Sequence, residues 1–197
     1  VNISAFDTIR RGGTSLIITV DTGITAIDEI DYAKSIGLDV VISDHHQCRS
    51  ELPKAEAVVN PRRPDCGYPF KELSGVGVVF KLLCALELEA VNGGIYNIYT
   101  IKDMCKRYID LVTMGTVADV MPLVGENRII VYMGLQMITR TRQVGIKALF
   151  RAAGIELDGS RKITSSLIGF TIAPRINAAG RIGDASRAVQ LFLAGSP

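Results

Sequence analysis

The chain has 197 residues, 48 % hydrophobic and 21 % charged, the balance of a globular protein able to bury one core or a core with an appendage. Its formal net charge of +2 excludes neither an acidic nor a cationic ligand, but the distribution is uneven. Residues 1–125 carry 12 Lys and Arg against 16 Asp and Glu, and residues 126–197 carry 10 against 4. That leaves an acidic part able to hold cations beside a basic part able to face phosphates, with an unevenly solvated surface as the plain alternative. No apolar run is long enough to cross a bilayer and no secretory leader opens the chain, so no membrane partner is expected. The four cysteines, Cys48, Cys66, Cys84 and Cys105, form no C-x-x-C pair and suit reduced thiols in a cytoplasmic protein. The absence of Trp and the 6 % of aromatics argue against a single-strand binder built on stacking platforms.

In chain order, Ser15 to Val20 is a β-branched run ending at Asp21. An amphipathic helical pattern follows, with Ile27, Ile30, Ala33 and Ile36 on one face and Gly37 as its stop. Val40-Val41-Ile42 is a second run, ending at Ser43-Asp44-His45-His46. Apolar strands separated by a helix signal a βαβ unit in a parallel sheet buried on both faces. Ala57-Val58-Val59 reads as a third strand. Residues 75–91, 100–118, 127–140 and 144–153 read as helices, and Asp184 as the N-cap of a last one through Leu193. The expected fold is therefore α/β over residues 1–125, a parallel sheet flanked by helices, followed by a mainly helical segment over 126–197.

Asp21 stands where a buried strand ends, followed by Thr22-Gly23. It either points into the crevice beyond the strand ends, where open α/β sheets bind ligands, or caps the next helix. Asp44-His45-His46 ends the neighbouring strand on the same sheet edge and holds the chain's only two histidines. Imidazole and carboxylate together suit Mn²⁺, Fe²⁺ or Zn²⁺, and carboxylate with water suits Mg²⁺; the competing reading is a His-bearing surface loop. Asp119 closes Gly115-Thr116-Val117-Ala118-Asp119 at a helix C-terminus, where the macrodipole favours a cation. Asp110, one competitor, would pair with Lys106 or Arg107. Two metals sharing such acids would clamp a phosphodiester for in-line attack by water. In Pro174 to Arg181, Arg175 and Arg181 flank Asn177 and small residues that would admit a phosphate backbone; a helix corner with two surface arginines is the alternative. Ser74-Gly75-Val76-Gly77 opens a helix, either to hold an anion or to pack closely.

Val20-Asp21-Thr22-Gly23, Ser43-Asp44-His45-His46 and Gly115 to Asp119, in that order, resemble the DHH phosphoesterase superfamily. With Leu73 to Val78, Asp110-Leu111-Val112 and Arg175-Ile176-Asn177-Ala178-Ala179-Gly180-Arg181, the likeness over residues 14–195 narrows to its bacterial single-stranded-DNA-specific exonucleases. The resemblance implies 5′-to-3′ hydrolysis of single-stranded DNA in repair and recombination with two Mn²⁺ or Mg²⁺ ions. It implies metal ligands at Asp21, Asp44, His45, His46 and Asp119, catalytic roles for Asp21, His45, His46 and Asp119, and nucleic-acid contacts from Arg175, Asn177 and Arg181. Two of the superfamily's signatures, an opening Asp-x-Asp and a Gly-Gly-His, do not occur in the 197 residues. With Val as the first residue, the expectation is an internal piece of a larger enzyme, inactive by itself. Within the same superfamily the alternatives are a phosphoesterase for short oligonucleotides or cyclic dinucleotides, and a non-catalytic nucleic-acid-binding relative.

Overall fold

A computed structural model describes residues 2–95, 98–182 and 184–195, without the side chains at 98–101 and 180–182. The chain divides into two compact units that meet between Leu83 and Cys84.

The first unit contains a three-stranded parallel sheet in the order β1 (Leu16–Val20), β2 (Asp39–Ser43), β3 (Ala57–Val59). The register runs from Leu16 opposite Asp39 to Val20 opposite Ser43, and from Val41 opposite Ala57 to Ser43 opposite Val59. The crossover helix α2 (Ile27–Ser35) follows the apolar spacing of the sequence, with Asp28 and Glu29 in its first turn and Lys34 in its last, as the macrodipole favours. Its Ile30 and Ala33 pack with Val40, Ile42 and Leu38, all at most 1 % exposed. Helix α1 (Ile3–Arg11), which periodicity missed, adds Phe6 to this core. It is capped by Asn2, whose side chain accepts from the Ser4 amide, and Asp7 accepts from the Tyr32 hydroxyl at 2.6 Å. Burial on both faces, expected from the continuous apolar strands, is met on the face that carries Val40 and Ile42. On the opposite face of β1, Leu16, Ile18 and Val20 are about half exposed.

Each ladder is extended by one rung past its strand. The Asp21 amide donates to the Ser43 carbonyl at 2.9 Å, and the Asp44 amide to the Val59 carbonyl at 3.0 Å. Parallel pairing thus brings Asp21 and Asp44 out on one sheet edge, as the strand ends imply.

Helix α3 (Gly75–Asn92) begins in the first unit and leads into the second, which is entirely helical among the described residues. Helices α4 (Ile98–Ala118) and α5 (Gly125–Ile138) form its best-packed pair. Gly134 admits the Thr113 side chain where a Cβ would collide with it, and the Thr113 hydroxyl donates to the Ile130 carbonyl at 3.1 Å. The core gathers Met114, Ile138, Ile146, Phe150, Ile163, Ile168 and Ile172. Helix α6 (Val144–Ala152) packs on α9 (Ser186–Leu193). Between them, a short α7 (Ser165–Leu167) runs through a π-helical turn (Ile168–Ile172) into α8 (Ala173–Ile182). Asp184, expected as the N-cap of the last helix, stands one residue before it: the N-cap is Ala185, and the Asp184 carboxylate accepts from the Ser186 amide at 2.9 Å. The segment from Pro174 to Arg181, for which a helix corner was the alternative reading, lies within continuous helix.

Candidate metal centre

Past β1 the backbone must leave the sheet abruptly, and it does so at Asp21, whose φ is +62°. An aspartate tolerates this left-handed conformation better than most residues, yet it is still unusual outside glycine. The turn is closed by the Thr19 hydroxyl donating to the Thr22 carbonyl at 2.7 Å, and Gly23 follows with φ +112°. Helix α2 starts only at Ile27 and receives no side-chain cap. Asp21 is therefore not a helix cap, which removes the plain reading of this residue.

The loop after β2 is organised by the Asp44 carboxylate, which is 1 % exposed. Its Oδ2 accepts from the Ile24 amide at 3.0 Å. Its Oδ1 accepts from the amides of His45 at 2.7 Å and His46 at 3.1 Å, and from His46 Nδ1 at 2.7 Å. Burial pushes this carboxyl up, but the Ile24 amide, the His46 ring and the two loop amides together outweigh it and hold the group below the ordinary carboxylate value. Expected as a metal ligand, Asp44 stands outside the donor group described next. Its oxygens tie the loop after β1 to the loop after β2.

His45 is buried and presents its two ring nitrogens to different partners. Nδ1 lies 3.0 Å from the Leu73 carbonyl oxygen, which can only accept, so the ring proton is assigned to Nδ1. Nε2 then faces Asp21 Oδ1 at 3.0 Å. His46 donates from Nδ1 to Asp44, and the same nitrogen lies 4.0 Å from Asp21 Oδ1. One donor atom from each of Asp21, His45 and His46 falls within 4.8 Å of the others. A backbone carbonyl that fixes the tautomer of a ligating histidine, and a carboxylate that orients its neighbour, are the outer contacts metal sites use. With Nδ1 protonated, Nε2 and Asp21 Oδ1 at 3.0 Å call for a positive centre between them, either a second ring proton that Nε2 donates to the carboxylate or a metal ion, and about 3 Å is also the spacing of adjacent donors around an ion with bonds of about 2.1 Å. The donor set of two imidazoles and a carboxylate fits Mn²⁺; Mg²⁺ would lean on the carboxylate and water.

Of the residues that support this cluster, Leu73 and Gly75 lie in segments the sequence marks, though neither for the role it takes here, and Asn60 is not marked as a site residue. Leu73 acts through its carbonyl, a group no side-chain pattern reports. Asn60, 3 % exposed, donates from Nδ2 to the His46 carbonyl at 2.9 Å and accepts from the Arg62 amide at 2.8 Å. Gly75 brings the first turn of α3 against Asp21, so close packing rather than anion binding is its use. Cys48 is not in the donor group, and burial pushes its thiol up.

The other expected site residues lie in the second unit. Asp119 is exposed just past α4, its amide donating to the Gly115 carbonyl at 2.9 Å. Val120 and Met121 then close the helix by donating to the carbonyls of Val117 and Thr116. Asn127, fully buried, donates from Nδ2 to the Pro122 carbonyl at 3.1 Å and so holds the loop that Asp119 opens. Asp110, expected to pair with Lys106 or Arg107, is instead 3 % exposed and accepts from the Thr141 hydroxyl at 2.5 Å and the Leu111 amide at 2.8 Å. Lys106 lies 3.8 Å from Asp103. Arg175 and Asn177 are exposed on α8, Arg175 donating to the Thr171 carbonyl at 2.6 Å. Arg181 is in the same helix, with its side chain outside the described residues. Among those residues no helix is long and apolar enough to cross a membrane.

Residues 3–116 match the family model described as DHH family, N-terminal domain. The single-stranded-DNA-specific exonuclease RecJ of Bacillus subtilis is 44 % identical over 192 residues, 98 % of this chain and 22 % of that protein. RecJ of Escherichia coli is 40 % identical over 189 residues, 95 % of this chain and 32 % of that protein. The crystal structure of Thermus thermophilus RecJ in complex with Mn²⁺ superposes with a TM-score of 0.78 at 33 % identity, covering 99 % of this chain and 27 % of the other. Its Mg²⁺ complex superposes at 0.58 with 28 % identity, over 98 % of this chain and 31 % of the other. The chain thus spans about a quarter to a third of the length of these relatives.

Proposed function

The chain belongs to the DHH family, and from that premise we propose that it is the metal-binding portion of a single-stranded-DNA-specific exonuclease that hydrolyses phosphodiester bonds from the 5′ end. The observation that carries this reading is the close approach of Asp21 Oδ1 to His45 Nε2, with the His45 ring already oriented by the Leu73 carbonyl.

Asp21, His45 and His46 would hold Mn²⁺ or Mg²⁺, with Asp119 as a further ligand on the strength of the family resemblance. When bound, such an ion neutralises charge on a phosphoryl oxygen and lowers the pKa of water. The chain's own groups do the rest. The Leu73 carbonyl keeps the His45 proton on Nδ1 and turns Nε2 toward the acidic edge. Asp44 fixes the His46 ring and anchors the loop after β1, so both loops keep their places while substrate exchanges. His46 is more than half exposed and can face a scissile phosphate. The exposed guanidinium of Arg175 suits a phosphate of the same strand, with Asn177 and Arg181 in support. Two ions, a role in repair and recombination, and work in the cytoplasm belong to this same reading.

The test is hydrolysis by the full-length protein with Mn²⁺, given 5′-labelled and 3′-labelled single strands, blunt duplex, and linear and cyclic dinucleotides. Preferential release of 5′ nucleotides from single strands is expected. Preference for a dinucleotide would sink the exonuclease reading in favour of a small-substrate phosphoesterase, and no hydrolysis of any of them would favour a non-catalytic relative.

A further inference from the structure

The second unit holds one aromatic side chain whose exposure is out of keeping with its setting. Phe170 is 86 % exposed, in the middle of the π turn, between Ile168 and Ile172, both fully buried. The flanking isoleucines fix the turn on the core, so the phenyl ring is held outward on a rigid mount. A π turn widens a helix by one residue and so re-aims the side chains after it; such turns recur at functional sites. The turn packs on α4, where a Cβ at Gly169 would lie 3.5 Å from Val117 Cγ1, two residues before Asp119. Arg175 follows five residues on, its guanidinium folded back to the Thr171 carbonyl, the residue next to Phe170.

We propose that Phe170 is a stacking platform for one base of a single-stranded DNA whose backbone is held by Arg175. This inference rests on the proposed function and adds to it the residue that reads the strand's single-strandedness. Every base has an apolar face, and in a duplex that face is occupied by its neighbours, so an outward ring beside a guanidinium selects an unpaired, splayed strand without selecting sequence. The charge is complementary: ten of the fourteen charged residues from 126 to 197 are Lys or Arg. The low aromatic content of the chain argues against a row of platforms but leaves room for one placed ring. At 86 % exposure, Phe170 adds little to the packing of its unit and leaves both ring faces accessible to a ligand.

The experiment is binding of the full-length protein to a phosphorothioate single strand, against copies carrying one abasic position moved stepwise along it. Wild type is expected to lose about ten- to a hundredfold in affinity at one position only, and Phe170→Ala to bind all the oligonucleotides with that weakened affinity and no further loss. Phe170→Trp should keep the abasic penalty, whereas Phe170→Leu should abolish it. Phe170→Ala should leave the salt dependence of binding unchanged, and Arg175→Gln should lower its slope by about one. If Phe170→Ala retains the full abasic penalty, the inference is overturned while the exonuclease reading stands. Equal weakening on every oligonucleotide, rescued by Leu, would mean that protein packs on the ring, and would overturn it too. A wild-type protein that neither binds nor cleaves single strands would overturn the functional reading first.

Discussion

The first turn of α3 touches the Asp21 side chain through Gly75, and a Cβ at Gly75 would overlap the Asp21 carboxylate. Asp21 cannot retreat, because its amide is fixed to Ser43 and its backbone is already in the left-handed region. Gly75→Ala should therefore displace the carboxylate from His45. The expected result is a ten- to hundredfold weaker Mn²⁺ affinity by calorimetry, the size of effect that contacts behind a ligand produce, with about 1–3 kcal/mol lost to overpacking in urea unfolding. Unchanged Mn²⁺ affinity would remove Asp21 from the ligands or Gly75 from its support.

Asp44 is a clamp, so its removal should be felt in stability before it is felt in chemistry. Asp44→Asn keeps the shape but puts an amide donor where an oxygen accepted from backbone N–H groups. Losing charge-assisted bonds to a buried acceptor costs about 1.5–3 kcal/mol each. We expect about 3 kcal/mol off the unfolding free energy in urea at neutral pH, with Mn²⁺ affinity reduced because both loops loosen. A variant as stable as wild type would mean that the Ile24, His45 and His46 amides find other partners.

Asp110 gives a pH dependence of defined sign. Burial pushes its carboxyl above the ordinary value of 3.8, and the bonds from Thr141 and Leu111 only partly offset this. A raised folded pKa means that the native state binds the proton more tightly than the unfolded chain. The stability this contributes is fully present below the unfolded value and is lost as pH rises through the folded one. Asp110→Asn cannot ionise, so its stability relative to wild type should be constant below the unfolded value of 3.8 and should rise from there as pH climbs towards 7. The difference can grow by no more than about 1.4 kcal/mol per pH unit. Urea titrations at matched pH values check this, and a difference that is flat or falls with pH would contradict it.

Much of the sheet edge was legible because strands, crossover helix and ligands follow simple periods. Val40, Val41 and Ile42 announce a buried strand, and the residue that ends a strand has to emerge at its edge. What stayed hidden were interactions with no side-chain signature of their own. The Leu73 carbonyl that orients His45 is one, and the closeness of Gly75 to Asp21 is another. Asp44 shows the limit, because a carboxylate beside two histidines looks the same in sequence whether it meets a metal or, as the structure shows, backbone amides and a neighbouring ring. Helices α1 and α8 were missed for separate reasons. The first has a single buried residue, Phe6, and so no long apolar stripe; the second carries Pro174, which reads as a breaker but here follows directly on the π turn of a continuous helix. The π turn shifts the apolar period by one residue, which is why Phe170 did not stand out.

Val120 makes the last prediction, because a β-branched residue rarely holds φ +55°. Its amide donates to the Val117 carbonyl at 3.1 Å and the Met121 amide to the Thr116 carbonyl at 3.3 Å, the pattern that ends helices on a left-handed residue, usually glycine. The side chain is 86 % exposed, so burial does not compensate the strain. That conformation costs an ordinary residue about 1–2 kcal/mol, and the greater freedom of glycine in the unfolded chain takes back about 0.5–1 kcal/mol of any gain. Val120→Gly should thus raise the unfolding free energy by up to about 1 kcal/mol, or Tm by about 2–4 °C for a chain of this length. Asn127, which holds the Pro122 carbonyl from the core, is the residue that keeps the loop in place against this strain. In an Asn127→Ala background the Val120→Gly gain should therefore shrink, since a loosened loop can relieve Val120 by itself. Urea unfolding of the two single variants and the double variant tests both statements, and strict additivity would mean that Asn127 and the Val120 strain are unconnected.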